Sequence, residues 1–423
     1  MTPSSVNNIK NASWLQENEL QKLFMVLLEK GDEVKIVGGA PRNHLLGKQV
    51  EDIDLATIYT PEEVIAKAKN AGIKYIPTGI EHGTVTLIIN KTPFEITSLR
   101  EDIKTDGRRA IVKFGKDWLQ DANRRDFTIN ALYVTSEGVI EDPLNQGLDD
   151  IKTKTVRFIG NAEDRIREDY LRCLRYYRFA SYYSHPPFDP EALSATINLR
   201  DGLRTLSAER IKAELFKILK APEPKPIIKE LYQNGLLTLL VGTAPNISAF
   251  YKLLEIEEEV GQPANTALRL AVLAAWHKGD AERLKERFRL SRRETEQVEL
   301  RGKASLEKAY LAKSINPQSS RDNFEKNKYL HNEGIENYIT LLKTLYALGD
   351  SPLEKKDLVR EITKHQSEPQ IEFPVKGVDL IEKGIKPGPE LGATLDKLVT
   401  KWLKSNRQLS REELLAELSE GEN

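Results

Sequence analysis

Two aspartates, Asp52 and Asp54, stand one residue apart in the run VEDIDLAT. On a β-strand, residues at i and i+2 share a face, so both carboxylates would point one way while Ile53 and Leu55 turn into a core. Paired hard oxygen donors suit Mg²⁺, which takes one or two carboxylates and completes its shell with phosphate oxygens and water. Such a pair fits two-metal, in-line phosphoryl transfer, in which an attacking oxygen is activated and a leaving pyrophosphate stabilised. Just upstream, the apolar run VKIV leads into Gly38-Gly39 and the short helix-like segment Ala40 to Leu46. A strand-to-helix turn of this kind brings backbone N–H groups close to a phosphate, and Arg42 adds a charged clamp. Alone, an Asp-x-Asp pair or a Gly-Gly turn is most often a solvated strand end or a structural turn. The order strand, Gly-Gly, helix, apolar-flanked Asp-x-Asp is what points to phosphate chemistry.

A second charged pattern lies further on. Asp169, Arg172, Arg175 and Arg178 recur every three residues, which on an α-helix makes one slowly drifting polar stripe, with Leu171, Leu174 and Phe179 left for the core side. A carboxylate only accepts hydrogen bonds and a guanidinium only donates them. Asp169 can accept from the exocyclic amine of cytosine or adenine while Arg172 donates to the adjacent ring nitrogen. Guanine and uracil present the reverse pattern and would leave groups unpaired, at roughly 1–3 kcal/mol each. The bland alternative is a solvated helix face.

The elements that must position these residues change character near residue 155. Before it, short β-rich runs (VKIVGG, IKYIPTGI, GTVTLIIN, FEITSL, INALYV) alternate with turn residues, and Thr60-Pro61-Glu62-Glu63 predicts a capping box opening a helix. After it, helical patterns dominate, with start signals at Ser207, at Ser291 with Glu294, and at Ser410 with Glu413. The polar stretch KSINPQSSRDN, residues 313–323, reads as a loop or joint. Glu95 alternates onto a strand face as either an exposed residue or a third carboxylate, and His82 reads as a loop residue. The basic run RLKERFRLSRR, residues 283–293, is either an RNA-backbone track or an ordinary charged helix face. GIKPGPELG reads as a turn that caps the helix through LDKLVTKWL.

Length and composition bound the rest. A chain of 423 residues predicts several domains, and its formal net charge of −1 neither announces nor excludes a nucleic-acid partner. The single cysteine, Cys173, removes intrachain disulfides and cysteine-based zinc sites and fits a reduced, cytoplasmic protein. No signal-peptide core or membrane-length apolar stretch is present in the sequence, so no membrane role is expected.

The blocks DANRRDFTINALY (residues 121–133), EDPLNQGLDDI, REDYLRCLRYYRFAS and LSAERIKAEL follow GGxxR and DxD in that order. Together they resemble the motifs of the class II tRNA nucleotidyltransferase and bacterial poly(A) polymerase family, whose heads are of the polymerase-β-like type. The resemblance covers about the first half of the chain, and beyond that rests on FRLSRRE, GIKPGPELG and LSREELLAEL. It implies an α/β nucleotidyltransferase head at 1–155, a helical, base-recognising neck at 156–225, and an all-α, RNA-binding body and tail at 226–423.

Residue by residue, the resemblance implies that Gly38, Gly39 and Arg42 touch the nucleoside triphosphate and that Asp52 and Asp54 are catalytic and hold Mg²⁺. Arg124, within Arg124-Arg125-Asp126, would bind the sugar and select a ribonucleotide. Asp169 and Arg172 would read the base, in a Glu-Asp-x-x-Arg block beginning at Glu168, and Arg175 and Arg178 would continue toward the phosphates. One departure bears on Arg42: Asn43 stands where family members usually carry Asp. The implied activity is template-independent addition of C and A to the 3′ end of tRNA, using CTP and ATP. Poly(A) synthesis and partial CC- or A-addition use the same head motifs. A non-catalytic RNA-binding module is opposed by the presence of both aspartates with the nucleotide-binding arginines, and the acidic ELSEGEN in place of a long, strongly basic tail favours the tRNA reading over poly(A) synthesis or partial addition.

Overall fold

The computed structural model describes residues 8–31, 33–106, 109–277, 279–301, 320–367 and 371–420. The chain divides into two compact units, Met1–Leu236 and Leu237–Asn423. In the first, the strands are β1 (Val34–Val37), β2 (Asp54–Thr57), β3 (Lys74–Gly79), β4 (Thr84–Ile89), β5 (Thr92–Ser98), β6 (Arg100–Asp106), β7 (Arg109–Phe114), β8 (Tyr133–Val134) and β9 (Ile140–Glu141). Seven of them form one sheet in the order β3-β4-β5-β2-β1-β8-β9, and β6 with β7 makes a separate hairpin. Its helices are α1 (Asn18–Leu27), α2 (Gly39–Leu45), α3 (Pro61–Asn70), α4 (Trp118–Asn123), α5 (Gly147–Lys152), α6 (Ala162–Glu168), α7 (Leu171–Tyr183), α8 (Pro190–Asn198) and α9 (Ala208–Lys220), followed by Lys225–Gln233. All described strands precede residue 142, so the expected passage from an α/β head to a helical remainder is what the chain builds.

Alternation along the strands sorts the residues of the sheet onto two faces. On one, Leu20, Leu23 and Leu27 of α1 and Val64 and Ala68 of α3 pack over Val34, Ile36, Leu55, Val85, Leu87, Phe94 and Ile96. On the other, Val37 and Ala56 join Leu99, Ala122, Ala131, Tyr133 and Ile159 in a smaller cluster. Asp54 and Glu95 share this second face by the same alternation. The α3 start forms as expected: the Thr60 hydroxyl accepts from the Glu63 N–H at 3.4 Å, and the Glu63 carboxylate accepts from the Thr60 N–H at 2.7 Å.

The second unit has helices and no strand among its described residues. One core joins Leu253 and Ile256 to Tyr338, Leu341, Leu345, Leu358 and Ile362, and another gathers Leu380, Leu398, Trp402, Leu403 and Leu414. Capping boxes close at Ser291 with Glu294 and at Ser410 with Glu413. Gly388 and Pro389 open the helix Pro389–Lys404, the structural role read from GIKPGPELG. Of KSINPQSSRDN, residues 313–319 lie outside the described residues and 320–323 begin the helix Ser320–Leu348. Among the described residues no helix is long and apolar enough to cross a membrane.

The basic run 283–293 has two kinds of arginine. Arg283 donates to the Val241 and Ala274 carbonyls at 2.6 and 2.7 Å, and Arg287 donates to the carbonyls of Leu239 and Leu240, so both tie down the C-terminal ends of helices. Arg292 and Arg293 stand out in solvent, with side chains 94% and 81% exposed. Arg287→Ala should therefore cost about 1 kcal/mol or more by stranding carbonyls, whereas Arg292→Glu should stay within about 0.5 kcal/mol. Urea midpoints of the two variants would check this, and equal midpoints would remove the structural role given to Arg287.

Candidate active site

Asp54 opens β2 between two neighbours, paired with Val37 of β1 on one side and with Glu95 of parallel β5 on the other. Because Gly38 follows Val37 directly, the glycine turn and the carboxylate meet at the same end of the sheet. Asp52 precedes the strand instead of sharing it, which corrects the expectation of two carboxylates on one strand face. Ile53 still packs toward the main core, so the alternation persists through this loop. Asp54 keeps solvent access within a recess. Partial burial there, and then the charges of Glu95 and Asp52, push its carboxyl above the ordinary range, with Arg125 opposing them.

Three carboxylates near one strand end, without an ion pair to any described residue, are a repulsive arrangement that a divalent cation would relieve. No described set of three His, Cys, Asp or Glu side chains forms a complete metal cage. That donor set fits Mg²⁺, which keeps water and substrate phosphate in its shell and asks the protein for only one or two carboxylates.

Gly38 adopts φ 74° and ψ −109°, a conformation that disfavours a side chain, and α2 starts immediately after it. Arg42, one turn into α2, is only 8% exposed. Its Nε and Nη2 donate to Asn43 Oδ1 at 3.2 and 2.9 Å, Nη2 donates to the Tyr183 hydroxyl at 2.8 Å, and Nη1 donates to Asn130 Oδ1. Asn43 thus serves Arg42 as an acceptor despite lacking a charge. Its own amide donates to the Gln49 carbonyl at 3.2 Å, in the loop that runs to Asp52.

Behind the site, Asp121 is fully buried and accepts from Arg124 at 2.7 Å, Arg125 at 2.9 Å and the Tyr133 hydroxyl at 2.7 Å. Burial alone would raise its pKa, but Arg125, Arg124 and Tyr133 hold it below the usual carboxylate range. Asp126 is likewise held low against its burial by Arg175, whose Nε donates to it at 2.8 Å, and by Asn130 at 3.1 Å.

The charged stripe is shorter than its spacing suggests. Asp169 stands in an extended break between α6 and α7, at φ −154° and ψ 108°, and only Arg172, Arg175 and Arg178 lie on α7. The break is held because the Asp169 carboxylate accepts from the Leu171 N–H at 3.1 Å and from Arg210 at 2.6 Å. Arg172 donates through Nη1 to Glu168 and to the Arg165 carbonyl. Arg178 turns away to Glu214 at 3.1 Å and packs over Phe179.

A cavity of about 540 Å³ is lined by Gly38, Gly39, Arg42, Asp54, Arg125, Asp126, Asp169, Arg172 and Arg175. Asn130, Leu171, Phe179 and Arg210 complete its walls. Asp52, Arg124 and Arg178 do not line it. Sequence reasoning missed Asn130, Tyr183 and Arg210. Arg210 sits inside the quoted block LSAERIKAEL, but nothing in its spacing indicates that it meets Asp169 across 41 positions.

A metal-compatible strand end, a glycine turn and a cavity walled by α7 define a nucleotidyltransferase of the polymerase-β-like class. Residues 34–157 match the model described as Poly A polymerase head domain, and 187–250 match that described as Probable RNA and SrmB- binding site of polymerase A. The chain is 32% identical to CCA tRNA nucleotidyltransferase 1, mitochondrial, of Danio rerio, over 99% of this chain and 98% of that one. It is 33% identical to the CCA-adding enzyme of Lactobacillus delbrueckii subsp. bulgaricus, over 88% and 89%. The fold matches the Bacillus stearothermophilus CCA-adding enzyme crystallised with CTP, with a TM-score of 0.68 at 24% identity over 95% and 96% of the two chains. The chain belongs to the CCA tRNA nucleotidyltransferase family.

Two expectations follow from the site's charges. Without divalent cation, Asp54→Asn should raise the melting temperature by removing like-charge repulsion, and added Mg²⁺ should stabilise wild type more than the variant. A variant that Mg²⁺ stabilises as well as wild type would show the metal to lie elsewhere. Because Asp126 is depressed in the fold, its contribution is complete above the unfolded value of about 3.9 and is lost as pH falls through the lower folded value. The stability gap between wild type and Asp126→Asn should accordingly be about 1–3 kcal/mol at pH 7 and close in acid. A gap independent of pH would contradict the Arg175 pairing.

Proposed function

We propose that this enzyme adds C and A, without a template, to the 3′ end of tRNA, taking nucleotides from CTP and ATP and releasing pyrophosphate. The observation that carries this reading is one cavity holding Asp54 with the glycine turn and also Asp169 with Arg172. Chemistry on a phosphate and recognition of a base thereby share a single space.

In this reading Gly38, Gly39 and Arg42 receive the triphosphate, and Asp52 and Asp54, with Glu95 beside them, hold Mg²⁺. The bound metal would supply charge neutralisation at the transferring phosphoryl group and acidify the attacking 3′ hydroxyl. Arg125, Asp126 and Arg175 form the wall between the two ends and are placed against the ribose and phosphates. Arg124 and Arg178 support that wall through Asp121 and Glu214. Asp169 accepts from the base's exocyclic amine. Both partners of Arg172 are taken by Nη1, leaving Nη2 and Nε for the ring nitrogen of C or A. Arg292 and Arg293 follow the tRNA backbone. The domain reading remains head 1–155, neck 156–225, and body and tail 226–423. The buried, unpaired Cys173 fits a reducing compartment, and the cytoplasm is the location we assign.

The deciding experiment supplies tRNA lacking its 3′ CCA with CTP, ATP or both, and sequences the products. Ordered addition of C, C and A is expected. Runs of A, or arrest after one nucleotide type, would replace this reading with poly(A) synthesis or partial addition. In the same assay Asp52→Ala and Asp54→Ala should abolish addition without loss of folding.

Arg172→Ala should lower kcat/KM and erase most of the preference for CTP and ATP over UTP and GTP, about tenfold or more per lost base contact. Arg178→Ala, outside the cavity, should leave that preference intact and act on stability. A reversed pattern would move base reading to the other end of α7.

A further inference from the structure

Among the described residues that line the cavity, Arg42 is the only cation whose direct hydrogen-bond partners are all neutral. Arg125 has Asp121, Arg172 has Glu168, Arg175 has Asp126 and Arg210 has Asp169. A guanidinium carries five N–H bonds. Four of those on Arg42 are directed at Asn43, Asn43 again, Tyr183 and Asn130, which leaves one on Nη1. Its charge is therefore held in place without being cancelled. The Tyr183 ring adds a face 4.2 Å from the guanidinium carbon. The Tyr183 hydroxyl accepts from Arg42 and donates to Asn43 Oδ1 at 3.2 Å, closing a triangle of three side chains.

That triangle joins three parts of the site. Arg42 and Asn43 belong to α2, just after the glycine turn. The Asn43 amide holds the Gln49 carbonyl, three residues before Asp52. Tyr183 ends the helix whose first turn carries Arg172. With Arg175 bonded to Asp126 midway, α7 is fastened to the head at its phosphate end by Tyr183.

We propose that Tyr183 is a positioning residue for the triphosphate: it holds Arg42 at the angle needed to meet a phosphate and fixes the end of α7 relative to the glycine turn. The assignment rests on the nucleotidyl-transfer reading given above. Tyr183 touches no reacting atom and acts through Arg42. Removing its hydroxyl leaves ring packing in place but frees one Nη2 hydrogen and one bond to Asn43, so the guanidinium samples orientations that miss the phosphate.

The test compares wild type, Tyr183→Phe, Arg42→Ala and the double variant, with inorganic tripolyphosphate as the probe in calorimetry and with CTP and ATP in steady-state addition. Tyr183→Phe should weaken tripolyphosphate binding by about tenfold, as expected for one charge-assisted hydrogen bond. It should raise KM for CTP and ATP by similar factors while kcat and the preference for C and A hold within about twofold. In the Arg42→Ala background the same change should have no further effect on tripolyphosphate, because the two residues act as one unit. Thermal melts confirm folding. If Tyr183→Phe lowers the melting temperature, the comparison within the Arg42→Ala background still decides, since a general loss of structure would add to the Arg42 effect.

Unchanged tripolyphosphate affinity in Tyr183→Phe, or an additive double variant, would overturn the positioning role while leaving nucleotidyl transfer standing. Wild type that binds neither tripolyphosphate nor CTP would overturn both.

Discussion

The site depends on the register of β2 between its two neighbours. Pairing Asp54 with Val37 and with Glu95 places a carboxylate beside the glycine turn and a second carboxylate beside the first. A slip of one residue would turn Asp54 into the apolar core and Leu55 into the cavity. The cost of that slip is what fixes the register, because Leu55 is 1% exposed in a core shared with Ile36 and Ile96. The apolar face of the sheet thus enforces a repulsive arrangement on the opposite face. A cation would relieve that repulsion and could then bridge the carboxylates to a phosphate, which they would otherwise repel.

Around this strand end the chain distributes its arginines unequally. Most are paired with carboxylates: Arg124 and Arg125 share Asp121, and Arg175 takes Asp126. Breaking such pairs strands a buried charge, so they stiffen the wall of the cavity. Arg42 is held instead by an amide, a phenol and another amide, and burial pushes its guanidinium below the ordinary range while neighbouring groups only partly restore it. An anion is the partner this arrangement lacks. Pre-set charges that need no rearrangement when a phosphate arrives are the usual way a protein lowers barriers to phosphoryl transfer.

Much of this was legible in the sequence because local rules sufficed. The glycine turn, the capping boxes at Thr60, Ser291 and Ser410, and the passage to helices after residue 155 all follow from short-range chemistry. What escaped depends on long-range contacts. Nothing near Tyr183 signals that its hydroxyl reaches Arg42 across 141 positions, and Arg210 gives no local sign of meeting Asp169. The three-residue spacing after Asp169 suggested a continuous stripe, but the Asp169 side chain bonds to its own neighbouring backbone and breaks the helix there, a habit of short acidic side chains. The basic run reads in sequence as either an RNA track or a solvated face, whereas two of its arginines are spent on carbonyls. Spacing cannot reveal which members of a charged run are already occupied.

In the proposed function Asp52, Asp54 and Glu95 hold a divalent cation at the end of β2, and the position of that cation can be mapped directly. Replacing Mg²⁺ with Fe²⁺ and generating hydroxyl radicals at the bound metal cuts the backbone only within its reach, so the sites of cleavage report its position. Cuts confined to the stretches around Val37 to Gly39, Asp52 to Asp54 and Glu95, all lost in Asp54→Asn, are expected. Cleavage centred elsewhere in the chain, or an unchanged pattern in that variant, would contradict that placement of the cation.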